Sequence, residues 1–374
     1  MSKLNDLIRE YCPDGVEYKK LEEILKIKNG TDYKKFPSGE IPVYGSGGII
    51  AYIDRFSYNK PSVLIPRKGS IDKLYYVETP FWNVDTIFYT VIDENQVLPK
   101  YVFHCLKKAH LEHLNTAGGV PSLTQKVLNK YKIPVPPLPV QREIVRILDN
   151  FTELTAELTA ELTAREKQYE YYRDRLLTFD ENNPIGYVKI ENKQIKDICE
   201  ISRGKVISKK YIRDYEGNYP VYSSQTENNG VLGKIDTYDY DGDYLTWTTD
   251  GANAGTVFFR QGKFTITNVC GLLSVIAENV NIKYLFYILR RVAPQHVNKG
   301  MGNPKLMSNV MGNIRVPIPS LSIQDKIVSI LDRFDKLCHD MTTGLPAEIE
   351  ARQKQYAYYR DKLLDFKPLE KRAE

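Results

Sequence analysis

Apolar positions recur along two stretches of the chain with a helical rhythm. From Ile144 through Leu148, Phe151, Leu154, Leu158, Leu162, Tyr169, Tyr172 and Leu176 the steps are mostly three and four residues, with Arg165 filling the seam between Leu162 and Tyr169. Side chains three and four apart share one helix face, so this stripe predicts a long amphipathic helix of coiled-coil type. Proline lacks the amide donor and restricts the residue before it, so the helix begins after PVPPLP, near Val140. About 40 residues at 1.5 Å each give roughly 60 Å, too long to hide in one small domain. A second stripe, Ile327, Leu331, Phe334, Leu337 and Met341, follows PIPSL and begins near Ser322. Gly344 and Pro346 interrupt it, which predicts a kink or break.

The two stripes are copies. YKIPVPPLPVQREIVRILDNF (131–151) returns as NIRVPIPSLSIQDKIVSILDRF (313–334), 183 residues on, with Pro134, Pro136, Leu138, Gln141, Ile144, Val145, Ile147, Leu148, Asp149 and Phe151 meeting identical residues. The same spacing aligns LPKYVFHCL with NIKYLFYIL, and AGGVPSLTQKVL with GMGNPKLMSNVM. REKQYEYYRDRLLTF (165–179) matches RQKQYAYYRDKLLDF (352–366) at 187, and IPVYGS (41–46) matches YPVYSS (219–224) at 178. The chain is one unit of about 185 residues written twice, each a mixed α/β segment followed by a long helix. Two similar surfaces held in one chain are the first functional clue.

The middle of the first helix, TELTAELTAELTA (152–164), repeats a four-residue unit. Four residues rotate a helix by about 400° and advance it by about 6 Å, so adding a unit changes length strongly and facing little. The run reads either as ordinary helix filler or as a spacer between the two globular segments.

Composition narrows the class. The 374 residues are 42% hydrophobic and 26% charged, within the globular range. Apolar runs fall well short of the ~18 residues that cross a bilayer, and MSKLNDLIREY places charges where a signal peptide is apolar. Cys12, Cys105, Cys199, Cys270 and Cys338 are widely spaced, which fits buried thiols in a reducing cytoplasm and no disulfide framework. The 27 tyrosines against 13 phenylalanines are divided between the paired helix ends and loops.

The net charge of +5 is unevenly placed. Residues 1–130 carry 18 basic and 15 acidic side chains and residues 181–312 carry 16 and 13, so each globular segment is +3 while the helical parts nearly cancel. Nucleic-acid binding needs a local basic patch, not a large total. Both segments hold loops of Gly, Ser, Asn, Tyr and Lys after matched Pro-Val-Tyr strands, and the frame repeats while the loops differ. Arg and Lys reach guanine edges, Asn and Gln adenine edges, and Ser or Thr either. Candidate DNA-binding residues are Tyr44, Ser46, Arg67, Lys68 and Trp82 in the first copy. In the second they are Tyr222, Ser224, Gln225, Trp247, Thr248, Asn253, Lys299, Asn303 and Lys305.

A catalytic site is not apparent. Neither GxxxxGK[ST] nor GxGxxG occurs, and Asp14, Glu17 and Lys19 of PDGVEYK sit too close together to clasp a metal from separate strands. His104, His110 and His113 share a helix region with Cys105, but their counterparts are Tyr287, Ala293 and His296, so no metal site is assigned. Recognition is favoured over catalysis.

The order of variable segment, PPLPVQREIVRILDNF helix, second variable segment and GLPAEIEARQKQYAYYRDKLL helix resembles the specificity subunit of type I restriction-modification systems, and LTAELTAELTA looks like that family's central spacer. The resemblance spans nearly the whole chain. It implies an α/β (α+β) pseudo-twofold molecule: target recognition domain 1 over 1–138, a central spacer helix over 139–180, target recognition domain 2 over 181–320, and a second long helix over 321–374 kinked near Gly344–Pro346. The two helices are expected to pack antiparallel through Leu148, Phe151, Leu158, Leu162, Tyr169, Leu331, Phe334, Met341, Tyr356 and Leu363. It further implies a cytoplasmic, non-catalytic subunit that reads a bipartite, asymmetric site in double-stranded DNA. Its expected partners are two methyltransferase subunits, which hold S-adenosylmethionine, and motor/restriction subunits; the chain itself takes no cofactor and meets no membrane. The competing reading is a coiled-coil scaffold with two protein-binding ends.

Overall fold

A computed structural model describes residues 2–115, 120–180, 189–300, 302–340 and 342–369. Its first half runs α1 (Ser2–Tyr11), β1 (Tyr18–Lys20), α2 (Leu21–Ile24), β2 (Leu25–Lys28), β3 (Ser38–Gly45), β4 (Gly48–Ile53), β5 (Ser62–Pro66), β6 (Tyr75–Val77), β7 (Trp82–Asn83), β8 (Ile87–Ile92), α3 (Pro99–Lys108), α4 (Gln125–Lys130), β9 (Lys132–Pro134) and α5 (Leu138–Leu176). The second runs β10 (Glu191–Gln194), α6 (Ile195–Ile198), β11 (Cys199–Arg203), α7 (Lys209–Asp214), β12 (Glu216–Tyr222), β13 (Val231–Ile235), β14 (Tyr240–Thr248), β15 (Val257–Ile266), β16 (Cys270–Val275), α8 (Ile282–Val292), α9 (Ser308–Asn313), β17 (Arg315–Ile318), α10 (Leu321–His339) and α11 (Leu345–Leu363).

The helix expected from the apolar stripe is α5, 39 residues without interruption. Its threonines are accommodated by bonding backward: Thr152, Thr155 and Thr159 hydroxyls donate to the carbonyls of Asp149, Phe151 and Thr155 at 2.7–2.9 Å. The break expected at Gly344–Pro346 lies between α10 and α11. There the Asp340 carboxylate accepts from the Thr342 amide at 2.7 Å and the Thr343 hydroxyl at 2.7 Å, which holds it well below the usual carboxylate range, and Pro346 enters the first turn of α11.

Two compact units emerge, Met1–Thr159 with Ala347–Glu374, and Ala160–Pro346. They do not follow the four segments drawn from the sequence, because each sheet-bearing segment shares its apolar core with helix ends. In unit 1 the core joins Val140, Ile144 and Leu148 of α5 and Leu363 of α11 to Tyr101, Val102 and Leu106 of α3. In unit 2 it joins Tyr169 and Leu176 of α5 and Ile327 and Leu331 of α10 to Tyr284, Leu285 and Ile288 of α8. The two copies thus exchange helix ends. Phe151 stacks on Tyr359 at 5.2 Å in unit 1, and its repeat counterpart Phe334 stacks on Tyr172 at 5.7 Å in unit 2. Leu158 and Leu162 are half-buried, and Met341 lies outside the described residues.

The sheets repeat in order but not in continuity. Unit 2 has one six-stranded sheet, β11-β16-β14-β15-β12-β13; unit 1 has a four-stranded β2-β8-β5-β6 and a three-stranded β4-β3-β7. β6 and β7 together occupy the place of the continuous β15. Between them stands Pro80, which cannot donate to a ladder, so the sheet divides there. The helix start is fixed alike in both units. The buried Gln141 amide accepts from Leu98 N–H at 2.8 Å and donates to the carbonyls of Gln96 and Pro136 at 2.9 and 2.7 Å. Gln324 repeats this with Asn281 N–H and the carbonyls of Asn279 and Pro319, each at 2.8 Å.

Candidate nucleic-acid interface

At one end of each unit, backbone hydrogen bonds tie three loops together in the same pattern. In unit 1, Val84 N–H donates to Tyr44 O at 3.0 Å, Arg67 to Thr86 O at 2.8 Å, Gly69 to Pro121 O at 3.1 Å and Leu123 to Arg67 O at 2.9 Å. In unit 2, Thr267 donates to Tyr222 O at 2.9 Å, Thr249 to Val269 O at 3.3 Å, Gly251 to Pro304 O at 3.1 Å and Leu306 to Thr249 O at 2.9 Å. Lys68 bridges to Ser122 as Asp250 bridges to Lys305. These are the loops whose sequences diverge between the copies, now set on one frame by regular backbone bonding.

The frame brings together most of the expected residues of unit 1. Tyr44 closes β3 with its ring against Tyr75 at 5.9 Å, and the next loop carries Ser46, whose N–H meets the Thr86 hydroxyl at 3.3 Å. Arg67 rests its guanidinium over Phe88 at 5.9 Å and Lys68 is exposed. Trp82 lies one strand over, its indole N–H on Thr31 O at 2.9 Å and its ring edge-on to Phe36 at 4.8 Å.

In unit 2 the outcome is mixed. Asn253 is exposed and donates to the Thr226 hydroxyl at 2.8 Å, Ser224 is anchored to Val269 O, and Gln225 donates to Val231 O. Lys299, Asn303 and Lys305 are exposed on the facing loop. Trp247 and Thr248, however, are wholly buried. The Trp247 indole donates to Leu306 O at 2.9 Å and the Thr248 hydroxyl to Asn253 O, so both hold the frame from inside and neither reaches its surface. Tyr222 is half-buried beneath Arg260, whose guanidinium lies 3.6 Å from its ring centre and 4.3 Å from that of Phe258. Burial pushes Arg260 down to about 10; its Nε donates to the Thr246 hydroxyl at 3.0 Å, its Nη1 is without a partner, and its plane ties β14 to the Tyr222 ring.

The sequence pattern passed over Thr86, Arg203, Thr249 and Asp250. Arg203 donates through Nε to Asn268 O at 3.0 Å and through Nη2 to the Thr249 hydroxyl at 3.2 Å, fastening two loops to the end of β11. Its signal was the short match of Ile27 and Gly30 to Ile201 and Gly204, which flank Asn29 and Arg203. Of the histidines, His104 is buried with Nδ1 2.8 Å from the Tyr356 hydroxyl and Nε2 3.4 Å from Asp149, and His110 pairs with Glu112 at 3.1 Å. All five cysteines are buried and unpaired, and burial pushes Cys105 and Cys199 up to about 12. Among the described residues no three His, Cys, Asp or Glu side chains converge to hold a metal ion, and no helix is long and apolar enough to cross a membrane.

The family model for the type I restriction modification DNA specificity domain matches residues 13–165 and 187–351, one match in each copy. The chain belongs to this family. A putative type I specificity subunit of Mycoplasma pneumoniae is 44% identical over 257 residues, covering 68% of this chain and 94% of that protein. A putative type I restriction enzyme specificity subunit of Haemophilus influenzae is 30% identical over 380 residues, covering 94% and 96%. The crystal structure of a type I restriction-modification S subunit from M. genitalium shares the fold, with a TM-score of 0.66 at 16% identity over 94% of this chain and 96% of that one. A type I specificity subunit recognises DNA and is not itself catalytic; the catalytic activities reside in other subunits.

Proposed function

We propose that this specificity subunit reads a bipartite, asymmetric DNA site, one half-site for each unit. The observation that carries the proposal is the matched frame with unmatched side chains. Arg67, Lys68, Thr86 and Ser122 in unit 1 stand where unit 2 has Thr249, Asp250, Val269 and Lys305. A shared scaffold fixes how each unit meets a duplex, while differing side chains fix what it reads. The +3 on each globular segment favours the same surface-scale attraction.

In this reading the two long helices pair antiparallel, set the unread gap, and carry two methyltransferase subunits. Those partners hold S-adenosylmethionine and methylate adenine, and motor/restriction subunits complete the complex. This chain takes no cofactor. Co-expression with its methyltransferase subunit, followed by genome-wide mapping of modified adenines, is expected to yield one motif of two unlike half-sites around a fixed gap. A contiguous or palindromic motif, or none, overturns the proposal. Gel-shift titration distinguishes the protein-scaffold alternative, because phosphate contacts give a steep fall of log affinity with log salt.

A further inference from the structure

The divergent side chains at the two reading ends differ systematically, in where the cations stand. Strand register identifies the positions: Leu25 of β2 faces Ile92, and Cys199 of β11 faces Val275, so Asn29 is the counterpart of Arg203. Each is followed by a glycine that the fold requires. A Cβ on Gly30 would lie 2.2 Å from Val84 O, and one on Gly204 would lie 1.9 Å from Ile266 O, so both turns press against the same neighbouring strand. Unit 1 carries its arginine at position 67 and asparagine at 29; unit 2 carries arginine at 203 and threonine at the counterpart of 67. The lysine moves likewise, from Lys68 opposite Ser122 to Lys305 opposite Asp250. At these matched positions each end keeps one arginine and one lysine, on different segments of the frame.

The arginine moves by two strands, about 10 Å, since β8 or β16 lies between the two positions; that is more than the rise of a base pair, so the same residue types address different bases. In unit 2 the displaced arginine is joined to a carboxylate. Nη2 of Arg203 donates to the Thr249 hydroxyl at 3.2 Å, whose single proton is shared between Val269 O at 2.8 Å and Asp250 Oδ2 at 3.0 Å. Arg203 commits Nε and Nη2 to Asn268 O and the second N–H of Nη2 to Thr249, which leaves Nη1 as its open donor at the half-buried surface. A guanidinium N–H matches guanine O6 or N7, and a carboxylate acceptor matches the cytosine amino group.

We propose that Arg203 and Asp250, held in register by Thr249, read one G·C base pair in the half-site of unit 2, and that Asn29 and Arg67 place the corresponding contacts of unit 1 elsewhere. This rests on the bipartite reading above. The test uses the full chain in complex with its methyltransferase subunit, scored by genome-wide adenine methylation and by methylation of a randomised duplex library. R203K keeps the charge but not the planar guanidinium that Asn268 and Thr249 orient. It is expected to lower discrimination at one guanine of the unit 2 half-site by about tenfold to a hundredfold, leaving the other half-site and the gap unchanged. D250N is expected to relax the same base pair, and R67K to relax only the other half-site. A wild-type bipartite motif that R203K and D250N both leave intact overturns the inference while sparing the bipartite reading. No bipartite motif in the wild type overturns that reading itself. Should R203K fail to fold, D250N at the loop surface decides alone: relaxation of a G·C position supports the inference, and an unchanged motif overturns it.

Discussion

At the residue scale, the side chains that survive duplication are those with several partners. Gln141 and Gln324 each satisfy one amide and two carbonyls where the chain passes from an irregular segment into a helix. Tyr101 and Tyr284 donate to Pro134 O and Pro317 O, and Lys100 and Lys283 pair with Asp149 and Asp332 at 2.9 and 2.6 Å. These matches were visible in the sequence as an unexplained run of identities; their cause is that a buried polar group left without a partner is penalised. Q141A strands three backbone groups in unit 1, and a loss of about 3 kcal/mol is expected, with Q324A costing a similar amount in unit 2. Urea unfolding with one tryptophan reporter per unit, Trp82 and Trp247, checks this. A variant as stable as the wild type would show that water replaces the amide.

At the element scale, helix ends carry charge as well as packing. His339 closes α10 with Nδ1 3.3 Å from Asp335 and its ring 5.8 Å from that of Tyr169. The bond to Asp335 outweighs burial and raises the imidazole above its ordinary value, while Asp335 is lowered because its bonds to His339 and Arg290 outweigh its own burial. A raised folded value means that the contribution is present below the unfolded value near 6.5 and is lost as pH rises through the folded one. The stability gap between wild type and H339Q is therefore expected to be largest below the ordinary imidazole value near 6.5 and to shrink as pH rises above it. A gap that grows with pH rules this out. Helices and their break were legible because a stripe of period 3.6 and a Gly-x-Pro stop are local signals. The site was less so. The last four residues of β14 are all buried, so alternation, the usual sign of facing, is missing and Trp247 could not be told from a surface residue. Nor does spacing reveal that Phe151 stacks on Tyr359 and not on Tyr172 of its own copy, because partner choice is a long-range property.

At the scale of the whole molecule, the low-complexity run sits where the chain leaves one compact unit for the other. The division falls between Thr159 and Ala160, inside TELTAELTAELTA, and neither apolar core includes a residue between Leu148 and Tyr169. An inserted unit therefore alters the connection without disturbing either core, and the backward bonds of its threonine continue the helix. One unit advances the helix by about 6 Å and turns it about 40° beyond a full revolution. On the DNA, about 6 Å is somewhat under two base pairs at 3.4 Å each, a twist of about 60° at 10 to 10.5 base pairs per turn. The rotation the helix supplies thus nearly matches the rotation the longer gap demands, and the remaining ~20° lies within the flexibility of the duplex. Inserting TAEL after Leu158 is expected to lengthen the unread gap by one to two base pairs, and inserting it twice by three to four, with both half-sites unchanged. Methylome sequencing of cells carrying each variant reads gap and half-sites together. A gap that stays fixed would mean that α5 does not set the spacing, and altered half-sites would mean that the insertion reaches the recognition frames.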